Sequence, residues 1–223
     1  MPYELDLALR SFRRNKVLTL LMVLAIALGI GAAMTTLTVY RMLAADPLPG
    51  RSQNLYIVHL DPQLMKDYVP GEEPEDQLTR FDAETLLRER RADRQAMMTS
   101  GNVPVEPEQA SLTPFLAEAR YTSADFFAMF GAPFLAGSGW SDREDESRAR
   151  VAVISKQLAE KLFGAADAVG RTVRLGGADF RVVGVLAPWR PVPHFYDLYA
   201  GKYADAEQVY LPFSTSRDLK MER

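Results

Sequence analysis

No cysteine occurs among the 223 residues. That single absence excludes disulfides, thiolate metal sites and cysteine nucleophiles. Histidine is nearly as scarce. His59 and His194 are the only two, too few for a histidine-built metal site. His59 falls in a stretch that reads as a strand and His194 in a proline-flanked loop, so both read as structural. Neither a G-x-S-x-G elbow nor an S-x-x-K pair is found, which removes the commonest serine-nucleophile signatures. Excess positive charge is missing too: the net charge is −3, and no nucleic-acid partner is expected. The acidic runs EEPED (72–76) and DREDE (142–146) lack calcium-loop spacing and read as solvated turns. No catalytic residue, cofactor or metal is expected.

One stretch nearly spells a nucleotide site. FGAADAVGRT (163–172) approaches the G-x-x-x-x-G-K-[ST] phosphate loop. One residue too many separates Gly164 from Gly170, and Arg171 stands where the lysine belongs. The order of elements decides the matter. Ser155 is a good helix N-cap, and Leu158, Ala159, Leu162 and Phe163 make an apolar helical face ending at Gly164. Gly170 then leads into a strand. A phosphate loop needs a strand before the glycines and a helix after them, so that backbone N–H groups face the anion. The stretch is a helix-to-strand turn.

What the sequence does have is one long uncharged run. From Val17 to Tyr40 no charged residue appears. As a helix this run spans about 36 Å, against roughly 30 Å of bilayer hydrocarbon. The apolar region of a cleaved signal peptide is only about 7–15 residues, so a retained anchor is the better reading. Arg10, Arg13, Arg14 and Lys16 precede the run, while only Arg41 follows closely. That bias predicts a cytoplasmic N-terminus and an extracytoplasmic remainder. Leu5, Ala8, Leu9 and Phe12 form a stripe suited to a short helix on the inner membrane surface, or to the start of one long helix. Ala25, Gly29 and Ala33, four apart, predict a face on which another membrane helix packs.

Beyond the anchor the pattern is mixed. LYIVHL (55–60) alternates like a strand. Asp82 to Ala96 reads weakly helical and is followed by a proline-rich extended stretch. FLAEARYTS from Phe115 is a strand, after which Ser123 caps the short helix ADFFAMF. VAVI (151–154) is a buried-type strand. TVRL and DFRVVGVL flank Gly176-Gly177 as a hairpin, and EQVYLPF (207–213) is a further strand ended by Pro212. The segment 188–203 is dense in aromatics. Trp189, Phe195, Tyr196 and Tyr199 are candidate partner contacts, with folding back onto the domain as the alternative.

VAVISKQLAEKLFG, AVGRTVRLGGADFRVVGV and VYLPFSTS, in that order, resemble the periplasmic core domain of MacB-type ABC transporter permeases, a group that includes FtsX-like proteins. LDLALRSFRRNKVLTLLMVLAIALGIG resembles that family's membrane-surface helix and first transmembrane helix. YTSADFFAMFGAPFLAGSGWS resembles its Y-x-S-x-x-F-F stretch before a glycine-rich turn. The resemblance implies an α+β chain: a cytoplasmic membrane-surface helix (1–16), a transmembrane helix (17–43), and a mixed α/β extracytoplasmic domain of two lobes (44–223). It implies a membrane permease subunit in the bacterial inner (plasma) membrane, with three further membrane helices. The expected partners are a cytoplasmic ABC ATPase subunit, a second permease copy or homologue, and a periplasmic adaptor or substrate protein. ATP hydrolysis by the partner would move the outer domain, for export or lipoprotein extraction. The sequence stops at Arg223 without the later helices, so the expectation is an N-terminal fragment of a longer permease or a truncated product. The alternative is a stand-alone membrane-anchored binding or sensor domain.

Overall fold

The computed structural model describes residues 15–44, 46–60, 70–71, 77–109, 111–165, 167–197, 204–217 and 219. The expected surface helix at 1–16 falls almost wholly outside these residues, as do EEPED and Tyr199. The chain divides into two compact units, Met1–Asp46 and Pro47–Arg223.

Among the described residues the first unit holds the helix α1 (Lys16–Ala44). Lys16–Met42 is long and apolar enough to cross a membrane, with a mean hydropathy of 2.5 and none of it buried. Its threonines pair their hydroxyls within the helix: Thr19, Thr35, Thr36 and Thr38 each donate back to the carbonyl four residues earlier, at 2.8–3.0 Å.

The second unit is built on one mixed sheet. In chain order its elements are α2 (Arg80–Glu89), β1 (Met98–Glu106), β2 (Phe115–Thr122), α3 (Phe126–Phe130), β3 (Phe134–Gly137), α4 (Asp142–Glu146), β4 (Val151–Ser155), α5 (Lys156–Phe163), β5 (Thr172–Leu175), β6 (Ala178–Leu186) and β7 (Val209–Pro212). The order across the sheet is β3-β6-β4-β7-β2-β1-β5, and β5 also pairs with β6. The strands β6, β4, β7, β2, β1 and β5 therefore close into a ring, with β3 added alongside β6. Both halves of the domain contribute strands to that ring, and Pro47–Arg223 forms one compact unit.

Alternation fills the ring with one face of each strand. Val103, Val105, Ala117, Ala119, Ala152, Ile154, Val173, Leu175, Val182, Val209 and Leu211 all join one cluster. Leu158, Ala159 and Leu162 of α5 close over it. The Ser155 Oγ accepts from Leu158 N at 3.2 Å, and Gly164 ends α5 in the left-handed region at φ 72. Phe163, expected on the same buried face, is only half-buried and lies under the Arg171 guanidinium at 5.1 Å. Gly176-Gly177 makes the β5–β6 hairpin, both at positive φ. Gly170 N donates to Val182 O at 2.8 Å. The glycines near Arg171 thus serve a turn and a strand, as their order requires.

Other sequence expectations are corrected. DREDE is not a turn but the short helix α4, with Ser141 Oγ accepting from Glu144 N at 3.3 Å. LYIVHL is not a strand: residues 55–60 lie outside the sheet, with Tyr56 81% and Ile57 62% exposed and His59 exposed beside them. Alternation alone does not supply a partner: no strand of the sheet bonds to this segment, although β3 is paired on one side only. Ser123 does not cap α3 with its side chain. Its Oγ accepts from Met97 N at 3.1 Å, and only its carbonyl accepts from Phe126 N.

Candidate functional site: an aromatic loop over a buried ion cluster

The outward faces of β4, β6 and β7 would meet solvent if nothing covered them. Val151, Val153, Leu186 and Tyr210 instead form a second cluster with Phe126, Phe127 and Phe130 of α3, Trp140 and Leu48. α3 is short, and Gly131 ends it at φ 66 with its N–H on Phe127 O. All three of its phenylalanines are buried. The loop after β6 lays its rings on them. Trp189 stacks on Tyr196 at 5.6 Å and 7°. Phe126 meets both edge-on, at 6.0 and 5.4 Å, and Phe130 meets Phe195 at 5.3 Å. These are favourable edge and offset geometries. Three of the four candidate contact aromatics therefore pack onto their own domain, half-buried, leaving their outer edges at the surface.

Beneath the loop lies a cluster of charges that the sequence did not announce. Arg120 on β2 is the register partner of Tyr210 on β7, so both face outward from the ring. Arg120 forms ion pairs with Asp197 and Glu207, and its Nε donates to Glu207 Oε1 at 2.8 Å. The hydroxyls of Tyr196 and Tyr210 donate to Glu207 Oε2 at 3.0 and 3.3 Å. His194 Nε2 stands 3.4 Å from Glu207 Oε1. The Arg120 guanidinium also lies over the Tyr196 ring at 5.1 Å.

The electrostatics follow from burial. Arg120, His194, Asp197 and Glu207 are between 2% and 6% exposed. Burial alone would raise the Glu207 carboxyl, but His194 and the Arg120 charge override it and hold it at about 2. Burial also opposes the Arg120 charge, and Glu207 and Asp197 more than restore it. Burial pushes both Tyr196 and Tyr210 well above the usual phenol range, so they remain donors to the carboxylate. The arrangement clasps the loop to β2 and β7. Among the described residues no three of His, Asp and Glu are placed to hold a metal ion.

No local pattern marks this site. Arg120 lies 77 and 87 positions from its two carboxylates. The only hint is an arginine between Ala119 and Tyr121 in an otherwise burial-prone strand. His194, read as structural, is buried within the cluster. Elsewhere, a cleft of about 510 Å³ is lined by Arg80, Glu84, Asp142, Asp145, Phe213 and Arg217 among others. Several of its charges pair: Arg80 with Glu84 one turn along α2, Arg217 with Glu84, and Arg90 with Asp142. Ala25, Gly29 and Ala33, expected from their spacing to meet another helix, are exposed along α1, and nothing lies within 4 Å of where a Gly29 Cβ would stand.

Comparison with known proteins assigns the family. The family model described as the MacB-like periplasmic core domain matches residues 19–222. The chain belongs to this family. Among curated relatives, the macrolide export ATP-binding/permease protein MacB of Azoarcus sp. is 24% identical over 215 residues, 93% of this chain and 30% of that protein. The pyoverdine export ATP-binding/permease protein PvdT of Pseudomonas aeruginosa is 35% identical over 65 residues, 29% of this chain and 10% of that one. The MacB-like chain thus spans at most about a third of the curated relatives it matches. Among solved structures, the periplasmic region of MacB from Actinobacillus actinomycetemcomitans aligns at a TM-score of 0.49 and 18% identity, over 66% of this chain and 60% of that one.

Proposed function

We propose that this chain is the first membrane helix and outer domain of an ABC transporter permease. ATP hydrolysis by an ATP-binding subunit or domain moves the outer domain and drives export or lipoprotein extraction. The reading rests on one observation above the others: an apolar helix of membrane length runs directly into an α+β domain, and the family match spans both, over 19–222. The relatives' names join an ATP-binding part to a permease part, while no nucleotide loop is found here. The basic residues before Val17 put the N-terminus in the cytoplasm and the domain outside the bacterial inner membrane. Ala25, Gly29 and Ala33 face a neighbouring helix, in a second permease copy or in the same one. The outer edges of Trp189, Phe195 and Tyr196, with Tyr199, meet a periplasmic adaptor or substrate protein.

The test is to tag the native protein, extract it in mild detergent and identify all that co-purifies by mass spectrometry. An attached ATP-binding polypeptide, or one on the same chain, supports the permease. A polypeptide of 24.9 kDa with no ATP-binding part supports the stand-alone anchored domain instead.

A further inference from the structure

The chain leaves α1 at Ala44 and enters the compact domain at Pro47. Its first footholds there are Leu48 and Arg51. Leu48 is 7% exposed within the aromatic cluster. Its carbonyl accepts from Arg51 N and Ser52 N at 2.9 and 3.1 Å, which fixes a tight turn. The Arg51 guanidinium then reaches α3, where Nη1 donates to Ala128 O at 3.0 Å and Met129 O at 3.4 Å. These carbonyls lie in the last turn of a short helix, where intrahelical donors run out and a cation is favoured. Gly131 keeps the space open. It sits at φ 66, and a Cβ there would come within 2.9 Å of Arg51 Cζ. The far side of α3 carries Phe126 and Phe130, which hold Trp189, Phe195 and Tyr196.

We propose that Arg51 is a positioning residue that couples movement of the chain at the membrane exit to the aromatic loop at 188–197. This rests on the permease reading above. Leu48 contributes an apolar contact, which resists separation but lets surfaces slide. The guanidinium contributes two directed bonds to one end of α3, so displacement along the chain pulls on the helix. α3 is packed on its phenylalanine faces, and packed interiors transmit strain. Coupling of this kind is established only by perturbing the joint and reading the distant site.

The experiment uses the native full-length protein with its ATP-binding part, in lipid nanodiscs. Hydrogen exchange is followed by mass spectrometry on peptides covering 188–197, with and without ATP. The expected result is an ATP-dependent change in wild type that is lost in Arg51→Ala, with the ATPase rate and melting temperature unchanged. Arg51→Lys, which keeps a cationic nitrogen able to donate to both carbonyls as Nη1 does, is expected to restore it at least in part. Arg174→Ala is the control. Arg174 is an exposed arginine paired with Glu106 and Asp179 on the ring, and its loss leaves the change intact. An ATP-dependent change that persists in Arg51→Ala overturns the proposal, as does equal loss in Arg174→Ala. An attached ATPase with no change in wild type also overturns it, while leaving the permease reading in place. Absence of any ATPase removes both.

Discussion

The two faces of the sheet are held by different chemistry. Inside the ring, valine, alanine, leucine and isoleucine dominate, delivered by alternation along each strand. Outside β4, β6 and β7 the packing is aromatic, and it borders a buried cluster of arginine, carboxylates and phenols. The inner face needs only apolar surface removed from water, which is non-directional and tolerant of exchange. The outer face depends on ring geometry and on charges that must stay matched, which is directional and intolerant. The difference predicts how each face fails.

The largest effect is expected at Arg120. Arg120→Ala strands Asp197 and Glu207 as buried charges, and breaking such a set costs about 3–5 kcal/mol. Urea denaturation of the purified chain measures this. The comparison adds a second readout, because both tryptophans of the chain, Trp140 and Trp189, belong to the outer face. Native-state tryptophan fluorescence should change in Arg120→Ala. Unaltered emission would mean the loop does not need the clasp. Leu158→Ala should cost about 2–5 kcal/mol, since Leu158 is 1% exposed over the ring interior. It should leave native emission as it was, and a spectral shift as large as that of Arg120→Ala would erase the distinction between faces.

Acid sharpens the comparison without any substitution. The Glu207 carboxyl sits at about 2, below its ordinary 4.5. A depressed carboxyl contributes stability that is fully present above pH 4.5 and drains away as pH falls toward 2. Nothing of the kind operates among the valines and alanines inside the ring. Tryptophan emission should therefore shift within that window, before far-ultraviolet circular dichroism reports loss of the sheet. Coincident transitions would mean the clasp and the ring unfold as one.

The same contrast explains what was legible in the sequence. VAVI, TVRL, DFRVVGVL and VYLP declared the inner face because a strand's periodicity is local, and Ser155, Gly164 and Gly176-Gly177 declared their turns for the same reason. The outer face joins Leu48, α3, Trp140, the loop at 188–197 and Tyr210. No window along the chain contains enough of it to be recognised. Trp189, Phe195 and Tyr196 were visible as an aromatic concentration, but a concentration does not say whether rings turn inward or out. Arg120 was invisible, since its partners lie far along the chain. LYIVHL shows the converse limit: alternation equips a segment to be a strand but does not supply the partner it must pair with.

The smallest effect tests the most local of these readings. Ser155 ends β4 in an extended conformation, and its Oγ accepts from Leu158 N at 3.2 Å. Ser155→Ala removes that acceptor and should cost about 1 kcal/mol. Melting of the purified chain should fall by a few degrees, on the order of 2–4 °C for a domain of this size. Native tryptophan emission should not move. Its cost and that of Arg120→Ala should add in the double variant, because the cap serves the inner face and the clasp the outer. A coupling beyond about 0.5 kcal/mol between them would mean that β4, which contributes side chains to both clusters, ties the two faces into a single cooperative core.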